Sequence, residues 1–183
     1  MTGKTHFTYA LITSVACCIQ FDVASPEVFL AGSLIGSLLP DIDHKESTIG
    51  KLIPLVSKKI NKKFGHRKLF HYPVFYALLF AILYFLGINT WLVVGLTLGV
   101  FSHLFLDRFN ERGTPMLILR KKKKNTSWGK IKVGGFGEVM VSSLICVATL
   151  YLIFCMDGQY QIYDGNIFVD GLYYFQQLKL AVL

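Results

Sequence analysis

Charge is missing from long stretches of this 183-residue sequence. Only 16% of the residues are charged, whereas 53% are hydrophobic and the mean hydropathy is +0.49, which is high for a water-soluble protein of this size. The three longest uncharged apolar runs are residues 73–88, 91–106 and 139–156. Runs of this length are near the lower limit for crossing the roughly 30 Å hydrocarbon core of a bilayer. The pattern favours an integral-membrane protein over the alternative, a soluble bundle of unusually apolar helices.

Cysteine is also scarce, and its four copies are poorly placed for ligation. Cys17, Cys18, Cys146 and Cys155 all lie in apolar runs and show no paired ligand spacing. This distribution argues against a disulfide framework or a zinc knuckle and favours buried packing residues. The glycine-rich segment 134–137 has neither a preceding strand nor a Walker lysine, so it indicates a turn and not a phosphate-binding loop.

Two shorter apolar runs, residues 7–21 and 28–39, bring the number of predicted helices to five. The first run also fits a cleaved signal peptide loosely, because Lys4 precedes it and small residues follow it, although Thr8 and Thr13 interrupt it. The sequence therefore predicts an all-α, integral-membrane bundle of about five helices. Residues 1–156 form the membrane-embedded domain, and residues 157–183 form a short tail.

Basic residues are distributed unevenly along the chain. Eighteen of the 19 Lys and Arg residues precede the first run or lie in the loops 41–72 and 107–138. Five spans would place these regions on one side of the membrane, and the positive-inside rule makes that side the cytoplasm. The prediction is a bacterial-type inner membrane protein with a cytoplasmic N-terminus and an extracytoplasmic tail. In that tail, residues 163–166 favour a small hairpin.

The run of four lysines at 121–124 has two interpretations. It either marks only the orientation of the chain or attracts anionic lipid headgroups, at about 1 kcal/mol per basic residue near the surface. Nucleic acid is a less favoured partner, because no aromatic-interleaved basic platform accompanies the lysines.

Histidines and carboxylates are concentrated at the predicted cytoplasmic ends of the helices. His103 and Asp107 are four residues apart, so a helix places both on one face. Asp41 and Asp43 follow Pro40, which ends the second helix, and an extended segment would turn both the same way. Neutral imidazole and carboxylate together suit zinc or manganese. The candidate ligands are His6, Asp41, Asp43, His44, His66, His71, His103, Asp107 and Glu138.

Each of these residues, taken alone, also fits a helix cap or a surface position. Their convergence on one side of the membrane favours a metal site, because ionisable groups at membrane helix ends are costly and usually functional. Arg67 lies between His66 and His71. Its guanidinium matches phosphate oxygens, so we expect it to hold a phosphate.

The order of these motifs resembles the YdjM family of membrane-bound, predicted metal-dependent hydrolases. The resemblance covers roughly residues 1–140, and the motifs that carry it are Thr5-His6, Leu39-Pro40-Asp41-Ile42-Asp43-His44, Gly65-His66-Arg67 with His71, and Ser102-His103 with Asp107. It implies that His6, Asp41, His71, His103 and Asp107 are metal ligands. It also implies that Asp43, His44 and His66 form a supporting shell.

A more distant similarity links the early Thr-His pair, the lone Asp and the His-x-x-x-Asp pair to bacterial zinc-dependent phospholipase C and P1-type nucleases. Those proteins are all-helical and use a cluster of zinc ions on phosphodiesters. This chain departs from the YdjM pattern at Lys68, Phe70 and Tyr72. It also lacks the second His-x-x-x-Glu pair of the phospholipases, which Glu138 would have to replace. One, two or three divalent ions, zinc or manganese, therefore fit the sequence.

These features predict a metal-dependent hydrolase of phosphate esters, with a phospholipid or lipid-linked phosphodiester at the cytoplasmic leaflet as the favoured substrate. The metal would lower the pKa of a bound water and clamp phosphoryl oxygens. Asp41 or Asp107 would orient the water, and Arg67 would hold the phosphate. The alternatives are a membrane-tethered nuclease and a non-enzymatic metal-binding or transport protein. Transport places ionisable residues near the midplane, and here they lie at one end.

Overall fold

A computed structural model of the chain describes residues 1–64, 69–111, 113–114 and 127–155. Within these ranges the protein is all-helical and has no strand. The α-helices are α1 (Gly3–Gln20), α2 (Pro26–Leu38), α3 (Thr48–Leu52), α4 (Pro54–Phe64), α5 (Pro73–Phe85), α6 (Thr90–Asp107) and α7 (Phe136–Cys155). Two 3-10 helices, η1 (Leu39–Asp43) and η2 (Leu69–His71), connect them. The all-α prediction is confirmed.

The five longest apolar runs of the sequence correspond to α1, α2, α5, α6 and α7. Two shorter helices, α3 and α4, were not predicted, and they lie in the basic loop 41–72. The expectation of about five helices is therefore corrected to seven over the described residues. The lysines made this loop resemble a solvated segment. A helix on the surface of a bundle needs only a narrow apolar stripe, so it does not produce an apolar run in the sequence.

Local sequence signals explain where the long helices begin. The Thr2 hydroxyl accepts a hydrogen bond from Thr5 N at the start of α1, and Asn89 Oδ1 accepts from the first amides of α6. Pro26 and Pro73 occupy the first position of α2 and α5, where the missing N–H of proline has no cost. The helix starts are therefore encoded locally.

Helices α2 and α6 approach so closely that their backbones touch. Each contributes a pair of glycines spaced by four residues, Gly32 and Gly36 on α2 and Gly95 and Gly99 on α6. A Cβ atom added at Gly99 would lie 2.0 Å from the carbonyl oxygen of Ser33. Small residues at this spacing are how membrane helices pack without side chains between them. The crossing of α2 and α6 is the most extensive contact between helices in the described residues.

The apolar core lies between α5 and α6 and is dominated by aromatic and branched side chains. It contains Tyr76 and Phe80 from α5 packed against Val93, Val100 and Leu104 from α6. On the outer faces, large apolar side chains are exposed, including Leu78, Ile82 and Phe85 on α5 and Val139, Leu144 and Val147 on α7. Such extensive exposure of apolar surface is typical of a surface that meets lipid or a partner.

One helix of the described part, Thr90–Asp107, is long and apolar enough to cross a membrane. Pro73–Phe85 and Phe136–Thr149 are shorter apolar helices. The five-span topology therefore stays a prediction, whereas the helical bundle is observed.

Candidate metal centre

Three histidines and two aspartates meet at one end of the bundle. His6 comes from α1, Asp41 from η1, His71 from η2, and His103 and Asp107 from the last turns of α6. The three histidines are fully buried, and Asp107 is almost so. Asp41 differs, because 17% of its side chain is exposed. Asp41 therefore marks the side from which solvent reaches the cluster.

The five side chains form two groups that share His103. One group is His6, Asp41 and His103, and the other is His71, His103 and Asp107; within each group the ligand atoms lie within 4.8 Å of one another. The Nε2 atom of His103 is 3.7 Å from Asp41 Oδ1 and 3.9 Å from Asp107 Oδ2. Two ligands of one tetrahedral zinc ion lie about 3.3 Å apart. The observed separations are therefore close to those of ligands around a shared ion.

A backbone carbonyl determines which nitrogen of His103 points into the cluster. His103 Nδ1 lies 2.6 Å from the carbonyl oxygen of Ser37 on α2. A carbonyl only accepts, so Nδ1 carries the proton and Nε2 carries the lone pair. The Nε2 atom is buried and has no hydrogen-bond partner among the described residues. His103 is thus in the tautomer that a metal ligand requires.

His71 is held by carboxylates on both sides of its ring. Its Nδ1 lies 3.7 Å from Asp43 Oδ2, and its Nε2 lies 3.7 Å from Asp107 Oδ2. Burial lowers the pKa of His71, but its acidic partners Asp107 and Asp43 outweigh burial, and the net pKa is raised. Asp43 is itself fully buried and stands behind His71 as seen from the cluster. Asp43 is therefore at ion-pair distance from the imidazole, on the side where a carboxylate that orients a metal-binding histidine would lie.

Asp41 remains ionised at the edge of the cluster. Burial raises the pKa of its carboxyl, but the nearby rings of His103, His6 and His71 have the greater effect and the pKa is lowered. A carboxylate that is ionised and partly accessible can accept a hydrogen bond from water or coordinate a cation. These are the two roles that the sequence suggested for it.

His6 lies flat against His103, with ring centroids 3.6 Å apart and an angle of 11° between the planes. Its Nε2 is 3.3 Å from Asp107 Oδ1. The Nδ1 atom of His6 is buried without a hydrogen-bond partner among the residues described. Buried polar atoms are normally satisfied, so unpaired nitrogens in a cluster of histidines and carboxylates fit a metal ligand set.

Asp107 is the most heavily contacted carboxylate of the cluster. Its Oδ1 accepts hydrogen bonds from the Met1 ammonium at 2.5 Å and from Asn110 Nδ2 at 2.6 Å. Asn110 was not predicted, although its position three residues after Asp107 was a visible signal. Ser37 was not predicted either, because it contributes a backbone carbonyl and therefore leaves no signature in the sequence.

Glu138 lies at the start of α7 and belongs to neither ligand group. Its Oε1 accepts from the Thr2 amide and from the Thr5 hydroxyl, both at 2.6 Å, and its Oε2 accepts from the Gly134 amide. These contacts fix the first turn of α1, in which His6 follows directly after Thr5. The structure therefore places Glu138 where it positions a candidate ligand.

Of the remaining predicted ligands, the structure describes His44 but not His66. His44 is partly buried and outside both ligand groups, and its carbonyl accepts hydrogen bonds from the amide and hydroxyl of Ser47. His66 and Arg67 lie outside the described residues, as do the lysine run 121–124 and the tail with its predicted hairpin. The roles expected for those segments stay predictions.

Most of the chain is similar to known proteins. The family described as "YdjM inner membrane protein" matches residues 1–162. The Bacillus subtilis (strain 168) protein described as "Uncharacterized protein YvsG" is 30% identical over 173 residues, which cover 92% of this chain and all of that protein. "Inner membrane protein YdjM" of Escherichia coli K12 is 30% identical over 131 residues, which cover 64% of this chain and 65% of that protein. No solved structure matches the chain.

Proposed function

The chain belongs to the YdjM inner membrane protein family, and from that membership and its buried cluster we propose that it is a membrane-bound, metal-dependent hydrolase of phosphate esters. The observation that carries the proposal is the convergence of His6, His71 and His103 with two aspartates at one end of the bundle. Three imidazoles and two carboxylates are a ligand set for zinc, with manganese as the second choice.

The five side chains could bind one ion or two. His103 belongs to both groups of potential ligands, and Asp107 lies near His6, His71 and His103. A site of this type, when loaded, supplies a nucleophile at neutral pH and a positive charge for phosphoryl oxygens. The sequence suggested up to three ions, and five ligands fit one or two ions better than three.

The protein's own residues divide the remaining work. Asp107 and His71 are both buried and form an ion pair, so they make up the fixed part of the ligand set. Asp41 is ionised and lies at the open edge. We therefore assign Asp41 the role of orienting the attacking water, and we assign Asp107 a binding role only. We assign Arg67 the role of holding the phosphate, and this assignment rests only on the chemistry of its guanidinium.

The favoured substrate is a phospholipid or a lipid-linked phosphodiester at the cytoplasmic leaflet. Two features support a lipid over a soluble ester. The cluster lies at the end of a helical bundle whose outer faces expose large apolar side chains, and the family is one of inner membrane proteins. A substrate anchored in the same bilayer would present its headgroup at the level of the cluster.

The test compares the metal content and the hydrolytic activity of two histidine variants. We expect purified wild-type protein to carry zinc or manganese and to cleave a phosphodiester in vesicles. His103→Ala should lose both the metal and the activity, since it removes the residue common to both groups. His44→Ala should keep both the metal and the activity, because His44 lies outside the two groups. Wild-type protein that binds no transition metal would exclude the proposal.

The substrate panel separates the three function classes. Phospholipid vesicles, a soluble aryl phosphodiester and single-stranded DNA should be offered to the same preparation. Cleavage confined to vesicles supports the lipid enzyme. Cleavage of DNA that weakens steeply with salt would indicate a membrane-tethered nuclease. Bound metal without cleavage of any substrate would indicate a metal-binding or transport protein.

A further inference from the structure

Five consecutive apolar residues are exposed where α3 meets α4. We call this segment the apolar corner: it comprises Leu52, Ile53, Pro54, Leu55 and Val56. The side chains of Leu52 and Leu55 are each 75% exposed. Apolar surface left in water forgoes about 25 cal/mol per Å². A run of this kind therefore indicates a surface that is covered by another apolar medium.

Lysines flank the apolar corner along the chain. Residues 47–64, which include α3 and α4, carry five lysines and no acidic residue; the lysines are Lys51, Lys58, Lys59, Lys62 and Lys63. All five are exposed. Apolar residues next to a one-sign basic rim are typical of segments that lie in the headgroup layer of an anionic membrane. Lysine is depleted at protein–protein interfaces, so the same pattern disfavours a protein partner.

The position of the corner in the bundle is consistent with a headgroup layer. Helices α3 and α4 pack against η1, at the end of the bundle where α2 ends and the ligand cluster lies. The Asn61 amide on α4 donates a 2.7 Å hydrogen bond to the carbonyl oxygen of Asp43 on η1. Buried Ser57 lies on the same inner side of α4. The inner side of α4 is therefore attached to the bundle, and its lysines and Leu55 are left outside.

We propose that the apolar corner inserts into the headgroup region of an anionic leaflet, with the surrounding lysines on lipid phosphates. The partner is the surface of a phospholipid bilayer that contains an acidic lipid such as phosphatidylglycerol. This inference does not depend on the hydrolase chemistry. It assigns α3 and α4 the role of an interfacial anchor that holds η1, and with it Asp41 and Asp43, at the level of the headgroups.

The experiment measures the depth of a spin label at Leu55. The 183-residue protein, with its four cysteines replaced by alanine, receives Leu55→Cys and is placed in nanodiscs of phosphatidylcholine with or without phosphatidylglycerol. In anionic discs we expect molecular oxygen to reach the label better than a water-soluble nickel complex does. The control is Glu46→Cys, an exposed position before α3, which should stay accessible to the nickel complex. Circular dichroism checks that each variant is folded.

Charge variants test the lysines separately. Adding Lys58→Gln and Lys59→Gln should lower the docked-to-undocked ratio of the Leu55 label by about fivefold per lysine in anionic discs. It should have no effect in phosphatidylcholine. A label that the nickel complex reaches equally in both lipids would overturn the proposal. A label shielded from both reagents would overturn it in favour of a contact with protein, and equal insertion without acidic lipid would exclude the anionic partner.

Discussion

His103 and His71 each direct one ring nitrogen toward the cluster and hold the other near an acceptor. For His103 the acceptor is the carbonyl of Ser37 at 2.6 Å, and for His71 it is the carboxylate of Asp43 at 3.7 Å. For His103 this hydrogen bond leaves the lone pair on Nε2, where a metal binds, whereas the carboxylate beside His71 lies at ion-pair distance. The carbonyl cannot be removed by substitution, but the carboxylate can. Asp43 is therefore the residue at which the orientation of a ligand can be tested.

We expect Asp43→Asn to weaken metal binding by about 10- to 100-fold without abolishing it, as is typical of a carboxylate that orients a ligating histidine. The amide carries no charge to support the imidazole of His71. Competition with a chromogenic chelator measures the affinity. Glu46→Gln provides the matched control, because Glu46 is an exposed carboxylate three residues away. An unchanged affinity in Asp43→Asn would remove Asp43 from the site.

At the scale of elements, the crossing of α2 and α6 sets the position of the His103 ring. Ser37 follows Gly36 on α2, and His103 lies one turn after Gly99 on α6. Because the glycines let the two backbones touch, the Ser37 carbonyl comes within hydrogen-bond distance of the His103 ring. A larger separation of the helices would lengthen this bond.

Gly99→Ala should therefore destabilise the protein and reduce its metal content together. The new Cβ would meet the Ser33 carbonyl oxygen at 2.0 Å, and overpacking of this kind costs about 1–3 kcal/mol. Denaturation in detergent followed by tryptophan fluorescence measures the stability, and elemental analysis measures the metal.

The matched control is Gly137→Ala on α7, where the added Cβ meets its nearest neighbour at an ordinary 3.7 Å. Alanine also has a higher helix propensity than glycine, so Gly137→Ala should be neutral or slightly stabilising. Equal behaviour of the two variants would show that the helix crossing does not control the site.

At the scale of the whole molecule, the question is which side of the membrane carries the cluster. His6, Asp41, His71 and Asp107 lie at the same end of the bundle, and the basic loops join the helices at that end. Lysine and arginine near span ends remain in the cytoplasm. The orientation is therefore a prediction from charge, to which the structure adds that the ligands lie at the end where α2 and α6 lead into the basic loops.

Fusions to reporter proteins test this orientation. Alkaline phosphatase fused after Leu183 should be active, because the tail is predicted outside, whereas the same enzyme fused after Lys124 should be inactive. Green fluorescent protein should give the opposite pattern at the two positions. A fluorescent C-terminal fusion would contradict the five-span topology.

Much of the helical framework was visible in the sequence. The apolar runs predicted α1, α2, α5, α6 and α7, because an uncharged run of this length has few other stable forms in a bilayer. The helices α3 and α4 were not visible, because their short, lysine-rich segments resemble a solvated loop. The four-residue spacing of His103 and Asp107 was a local property of a helix, and the structure retains it.

The sequence by itself determined the five long helices, the residue types of the cluster and the separation of basic loops from apolar runs, because each depends on composition or on spacing within one segment. Only the tertiary structure decided that His71 and Asp41 join His103, that His44 and Glu138 stay outside, and that Ser37 selects the histidine tautomer. Those outcomes depend on distances between segments far apart in the chain, and for Ser37 and His103 that distance is set by how closely α2 and α6 pack.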